Sequence, residues 1–343
     1  MNPLSLNEHL KNFFTVYLTE QRGLSRNTIA SYRDTFKLLL NYIEAKKGIK
    51  YPRELTAAEI DVKMILSFLS NLEDSQVGRS NKPQTRNLRL AAIHCFYKYL
   101  AWQGAAYSKY ARKILAIPMK KVPMSTIDYF NKEELELLFS QIDVTTKDGF
   151  RDLVILTLLY DTGARSQEMA NMRISWLDLN NRTIKIHGKG NKERVLPLWE
   201  CMVQVVKRYI DKYRRTPKDG LGDYLFVSQR GKPLTRFGVR SIVCKYIRLA
   251  AVKNKDIGKK RLSTHSIRHT TATHLIESGV ELNVVKSWLG HASVKTTSRY
   301  LDSDFNRKKE ILDKFGPPSY VVSITEDKKE TGQDDIFEWL KKL

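Results

Sequence analysis

Apolar residues recur every three or four positions through most of the first hundred residues, the spacing of helices with one buried face. In LSRNTIASYRDTFKLLLNYIEAKKG, Ile29, Tyr32, Phe36, Leu39, Leu40 and Ile43 form such a stripe. Ser25 stands where a helix needs its first orphan N–H groups capped, and Lys46, Lys47 and Gly48 give the usual basic end and stop. TRNLRLAAIHCFYKYLAWQG repeats the pattern with Ile93, Phe96, Tyr97 and Leu100, while Arg86, Arg89 and Lys98 fall toward another side. About four such helices make a bundle. From Tyr107 to Ile127 the periodicity fails, with a basic bias and with Pro118 and Pro123 barring a long core helix.

A different mixture follows. NKEELELLFSQI opens with a capping box of Asn131 and Glu134, and LVILTLLYDTGAR predicts a buried helix ending near Gly163. TIKIHGKGNKERVLPL gives two β-type runs around a Gly-Lys-Gly-Asn turn, a hairpin, and DYLFVSQRGKPLT a weaker extended pair. Helical spacing then resumes through Tyr300 to about Phe315, where Pro317 and Pro318 break it. The polar stretch ITEDKKETGQ leads to DDIFEWLKKL, an amphipathic segment too short to be stable unless docked on its own body or a neighbour. The expected fold is mainly α with a small β-sheet (α+β). Its parts are a helical domain over residues 1–108, a linker over 109–127, a mixed α/β domain over 128–316 and a tail over 317–343.

Charge narrows the function. The chain of 343 residues carries 59 Lys+Arg against 37 Asp+Glu, a net charge of +22. That excess calls for a polyanionic partner, with nucleic acid ahead of an anionic membrane surface. No apolar run is long enough to span a membrane, and MNPLSLNEHLKNFF lacks the basic-then-apolar layout of a signal peptide. Cys95, Cys201 and Cys244 are far apart among apolar neighbours, which fits buried reduced thiols in a cytoplasmic protein and no zinc site.

The ionisable residues of the second half gather beside apolar helix ends: TGARSQEM, HGKGNKER, THSIRHTTATHL, GHAS and SRYLD. Singly each is ordinary, since an Arg after a helix is usually a solvated cap and a Tyr on an amphipathic helix is usually core. Together they suit a phosphodiester site without a metal or other cofactor, because no acidic cluster could hold two magnesium ions. Arginine forks can balance charge on a pentacoordinate phosphate. A tyrosine hydroxyl can attack phosphorus and keep the bond energy in a covalent intermediate. A lysine on a hairpin turn, Lys189 or Lys192, can protonate the leaving sugar oxygen, and imidazoles can move further protons.

These strings resemble the tyrosine recombinases of the phage-integrase and Xer-like group. The likeness is carried by ARSQE (Arg165), GKGNKER (Lys189), HSIRHTTATHL (His265, Arg268) and LGHASVKTTSRY (His291, Tyr300). The intervals are 24 positions from Arg165 to Lys189, 3 from His265 to Arg268, 23 on to His291 and 9 to Tyr300. GLSRNTIASYRDTF and TRNLRLAAIHCFYKYL resemble the same group's core-binding, SAM-like domain, so the likeness runs to about Tyr300. It implies a site-specific recombinase whose two domains close on DNA as a C-shaped clamp. Tyr300 would attack the scissile phosphate, leaving a 3′-phosphotyrosyl link. Arg165 and Arg268 would hold the phosphate oxygens, and Lys189, favoured over Lys192 by spacing, would protonate the 5′ oxygen. His265 would assist proton transfer and His291 would hydrogen-bond the phosphate. Glu168 would orient the arginine or lysine region, and His269 and His274 would be structural.

The same resemblance implies double-stranded DNA with specific recombination sites as partner and a homotetramer in the synaptic complex. Strands would pass through a Holliday junction, to integrate or excise a mobile element or to resolve DNA multimers. An accessory DNA-bending protein or a second recombinase could join it, in a prokaryotic, nucleoid-associated setting. Arg86, Arg89, Lys98, Lys120 and Lys121 are the candidate phosphate contacts of the first domain and linker. Two other readings compete: a type IB-like topoisomerase or resolvase, betrayed by site-independent relaxation of supercoils, and a DNA-binding regulator without chemistry.

Overall fold

The computed structural model describes residues 5–48, 56, 59–76, 80–122, 128–188, 192–290, 312, 315–316, 319–320 and 322. Two compact units divide the chain, Met1–Ser125 and Thr126–Leu343.

The first unit is helical. Helix α1 (Leu6–Asn12) opens on a Ser5/Glu8 capping box and runs on in wider π-type turns over Phe13–Gln21. Helix α2 (Arg26–Lys47) starts where the Ser25 hydroxyl accepts the Thr28 N–H, and stops at Gly48, whose φ of +66° suits a residue without Cβ. Helices α3 (Val62–Glu73), α4 (Pro83–Gln103) and α5 (Ala105–Leu115) complete it. Phe13, Phe36 and Phe96 meet edge to face at its centre, with ring centroids 5.1–6.0 Å apart. Phe36, Leu39 and Ile43 of the α2 stripe, and Ile93, Phe96, Tyr97 and Leu100 of the α4 stripe, are buried there. The stretch expected as a linker from residue 109 begins inside α5. Ala111, Ile114 and Ile117 belong to the same core, so the proline break takes effect only at Pro118.

The second unit is built around α7 (Lys147–Thr162), in which every side chain from Leu153 to Thr162 is buried. Before it, α6 (Lys132–Phe139) carries the expected capping box: the Glu134 N–H donates to Asn131 Oδ1 at 2.7 Å, and the Asn131 N–H to Glu134 Oε2 at 3.0 Å. After it comes the short α8 (Ser166–Ala170), then a three-stranded antiparallel sheet of β1 (Leu177–Asp178), β2 (Thr183–His187) and β3 (Glu193–Pro197) in that order. The expected hairpin is β2–β3, in register from Thr183 opposite Pro197 to His187 opposite Glu193. The weaker pair at DYLFVSQRGKPLT shrinks to single bridges, Arg173–Tyr224 and Val227–Pro233.

Helices α9 (Glu200–Arg208), α10 (Arg236–Lys253), α11 (Lys255–Lys259), α12 (Thr264–Glu277) and α13 (Leu282–Leu289) follow, and α9, α10 and α12 pack against α7. Trp288, fully buried, fastens α13 to α7 by donating its indole N–H to the Asp161 carbonyl at 3.0 Å. Leu312, Phe315 and Tyr320 lie against the same core. The amphipathic DDIFEWLKKL lies outside the described residues. Among those residues, no helix is long and apolar enough to cross a membrane.

Candidate active site

The site starts from helix ends. Helix α7 stops at Gly163 with φ of +58°, and a Cβ there would collide with Leu289 at the end of α13. Glycine suits both the left-handed φ and the close approach. The close approach brings two helix C-termini together, each rich in carbonyls without intrahelical partners. Arg268, in the second turn of α12, fills the gap. Its Nη1 donates to Gly163 O and its Nη2 to Leu289 O, both at 2.6 Å. Those two bonds engage two of the five donors of the guanidinium. The residue is 6% exposed. Burial, and then the neighbouring charges of Arg165 and Arg194, push its pKa down to about 9, so it remains cationic at neutral pH.

Arg165 follows Gly163 by two residues, at the position before α8. One turn in, Glu168 reaches back: its Oε2 accepts the Arg165 N–H at 3.0 Å and its Oε1 accepts Arg165 Nη1 at 2.8 Å. The Arg165 side chain keeps 35% exposure, whereas that of Glu168 is buried. A buried carboxylate needs paired charge, and here a second cation supplies it: Arg194 Nη2 donates to Glu168 Oε2 at 2.8 Å. Burial alone would raise the Glu168 pKa, but the bonds and charge of Arg194 and then of Arg165 hold it below the ordinary carboxylate value. The sequence reading missed Arg194. Its signal was the parity of β3, which sets residue 194 on the same face as the buried Leu196.

His265 sits exposed in the first turn of α12, its N–H donated to Ser263 Oγ at 3.2 Å. His269, one turn on, is half-buried and held toward the neutral form by burial and by the nearby His265 and Arg268. His274 is internal: its Nδ1 lies 2.9 Å from the Tyr160 hydroxyl. Lys189, His291 and Tyr300 lie outside the described residues. Their flanks are placed. The Gly188 N–H donates to Lys192 O at 2.7 Å, extending the β2–β3 pairing, and Gly290 ends α13 with φ of +64°. Arg165, Glu168 and Arg268 are therefore brought together, with Arg194 beneath them, while His265 stands at the start of the helix that carries Arg268.

The first-unit candidates divide. The expectation that Arg86 lies on the surface is corrected: it is 5% exposed and donates to the Pro118 carbonyl and to Asn87 Oδ1, both at 3.2 Å. Arg89 is half-buried and bonds Ser31 O and Thr35 Oγ1. Lys120 pairs with Glu73 at 2.7 Å. Lys98 and Lys121 are exposed. Among the described residues, no three His, Cys, Asp or Glu side chains converge as a metal site.

A helical unit joined to a mixed unit, with two arginines converging at helix ends in a strongly basic chain, defines a protein that acts on phosphodiesters. Residues 128–307 match the phage integrase family, and residues 12–104 match the phage integrase N-terminal SAM-like domain. The chain is 31% identical over 295 residues to the tyrosine recombinase XerC of Staphylococcus epidermidis, covering 85% of this chain and 92% of that one. It is 30% identical over 315 residues to the tyrosine recombinase XerD of Listeria monocytogenes, covering 91% and 99%. Among solved structures, the XerH site-specific recombinase bound to its difH substrate before cleavage superposes with a TM-score of 0.59 at 25% identity, covering 80% of this chain and 78% of that one. The chain belongs to the phage integrase family of tyrosine recombinases. It is a site-specific DNA recombinase that works through a phosphotyrosine intermediate.

Proposed function

We propose that Tyr300 is the nucleophile and that Arg165, Arg268, Lys189, His265 and His291 complete the catalytic set. The Tyr300 oxygen forms a bond to the scissile phosphorus as the bond to the 5′ oxygen breaks. Lys189 gives the departing oxygen its proton, leaving a 3′-phosphotyrosyl link and a free 5′-hydroxyl. Arg165 and Arg268 balance the charge on the phosphate oxygens while His265 and His291 add hydrogen bonds. Reversal by a 5′-hydroxyl from a second site rejoins the strands in exchanged order, and a second round on the other strand pair resolves a Holliday junction. Neither ATP nor metal enters the bond balance.

One observation carries this reading: the Arg268 fork, fixed by two 2.6 Å bonds to the carbonyls of Gly163 and Leu289. It sets the cation between the residue that leads to Arg165 and the residue that leads to His291. A guanidinium whose orientation is settled before DNA arrives stabilises the transition state without reorganising. Four protomers on two sites supply the four cleavages. The amphipathic DDIFEWLKKL is the segment we assign to docking between protomers, alongside any DNA-bending protein or second recombinase. Lys98 and Lys121 contact phosphates outside the catalytic cluster.

A suicide duplex nicked beside the cleavage position tests the assignment. With EDTA present, the wild-type protein is expected to accumulate a covalent adduct, and Tyr300→Phe none. An adduct of undiminished yield in Tyr300→Phe refutes the nucleophile.

A further inference from the structure

Arg194 is anomalous where it stands. Strand alternation puts it on the inner face of β3 beside Leu196, and its side chain is 7% exposed. A buried cation is costly unless its bonds are worth the desolvation, so its partners identify its work. Nη2 donates to Glu168 Oε2 at 2.8 Å, and the same carboxylate holds Arg165 through its side chain and its N–H. The guanidinium also lies against two glycines. A Cβ on Gly290 would stand 3.2 Å from Nη1 and 3.3 Å from Cδ; one on Gly188 would stand 3.7 Å from Nη1 and 3.5 Å from Glu168 Oε1. Gly188 immediately precedes Lys189, and Gly290 immediately precedes His291. Three chain segments that share no sequence proximity therefore meet on one side chain.

We infer that Arg194 is a positioning residue that ties Gly188, the residue before Lys189, to Glu168 and so keeps the entry of the hairpin turn in register with Arg165. It acts through Glu168 and the two glycines, and not by touching the phosphate. The inference rests on the reading of Lys189 as the general acid. Arg194→Lys keeps the charge but loses the guanidinium that spans Glu168 and the two glycines, so the hairpin entry is expected to come loose from α8 and Lys189 to be misplaced for the leaving oxygen. Misplacement by an ångström costs about 100-fold in rate.

The test is single-turnover cleavage by the full-length protein of two nicked duplexes. One has a normal phosphodiester at the cleavage position. The other has sulfur in place of the bridging 5′ oxygen. In the second, the tyrosine oxygen–phosphorus bond forms as the phosphorus–sulfur bond breaks, and the thiolate departs without needing a proton. Arg194→Lys is expected to retain half-site binding in gel retardation, to cleave the normal duplex about 100-fold slower, and to recover to within a few-fold of wild type on the sulfur duplex. Arg165→Lys is the unrescued control and Lys189→Ala the rescued one.

If Lys189→Ala is not rescued, the general-acid reading fails and the inference falls with it. If Lys189→Ala is rescued while Arg194→Lys is not, or if Arg194→Lys cleaves both duplexes like wild type, the positioning role alone is overturned. Should Arg194→Lys lose half-site binding through misfolding, Arg194→Met decides. It keeps the buried stem but has no donor for Glu168. A sulfur-rescued loss supports transmission through Arg194, and an unrescued loss or no loss overturns it.

Discussion

At the scale of single residues, the cluster depends on how a buried carboxylate is shared. Glu168 holds Arg165 by two bonds and Arg194 by one, so its protonation releases both cations at once. The sign of the pH dependence follows from its lowered pKa. The native state binds the proton less readily than the unfolded chain, so the stabilisation is complete above the ordinary glutamate value of about 4.3 and is lost as pH falls through the lowered native value. Glu168→Gln is therefore expected to be less stable than wild type at pH 7, by about 3 kcal/mol for a buried pair deprived of its partner. The gap should close in acid. Denaturant titrations from pH 7 to pH 3 measure it, and a gap independent of pH contradicts the charge-sharing arrangement. Arg86 shows the other use of a buried arginine: with its bonds to Pro118 and Asn87 it ties α4 to the end of the first unit's core.

At the scale of elements, caps and stripes were legible because they are local. Ser25, the Asn131/Glu134 box, Gly163 and the β2–β3 pairing each act within a few residues of the atoms they bond, and the structure uses each as read. The inward-facing arginines were less legible because apolar periodicity counts only apolar residues. Yet Arg86 falls on the helical row of Leu90, Ile93, Tyr97 and Leu100, and Arg194 on the strand face of Leu196, so the row rather than the residue type held the signal. The continuation of α5 past residue 109 was hidden by a basic, proline-bearing string whose Ala111 and Ile114 nonetheless keep helical spacing. The bonds of Arg268 to two distant carbonyls were beyond a sequence reading, since both acceptors are backbone and only the fold brings them together.

The segment beyond the catalytic strings is an element with a visible anchor. Phe315 packs on Trp199 and Tyr160, with centroids 5.7 and 5.3 Å away; Trp199 Nε1 donates to Leu312 O, and the Ser319 N–H and hydroxyl both donate to Glu136. Leu312 is itself buried in the core of the second unit. Phe315→Ala, at a half-buried ring, is expected to cost about 1–3 kcal/mol, below the range for a fully buried phenylalanine. It should slow adduct formation without weakening half-site binding. Thermal denaturation and single-turnover cleavage measure the two effects, and unchanged stability would show that the anchor is not a stabilising contact.

At the scale of the whole molecule, the net charge of +22 sets affinity more than sequence choice. Each phosphate neutralised contributes about 0.9 to the slope of log affinity against log salt. Replacing both exposed lysines, Lys98 and Lys121, with glutamine should reduce that slope by about 1–2, with equal losses on specific and random duplexes. Arg86→Gln should leave the slope unchanged and lower stability instead, by about 1–3 kcal/mol for a buried acceptor left unpaired. Salt titrations of binding separate the two. A reduced slope in Arg86→Gln would place that residue on DNA.

The central claim is that one tyrosine, served by the Arg165–Glu168–Arg268 cluster, holds the broken strand by its 3′ end. The measurement closest to it is mass spectrometry of the trapped adduct after digestion with trypsin and nuclease. The account predicts one nucleotide-bearing peptide, modified at Tyr300 through a 3′-phosphate, with the opposite strand end a free 5′-hydroxyl. A modification on any other residue, or a link through a 5′-phosphate, would contradict it.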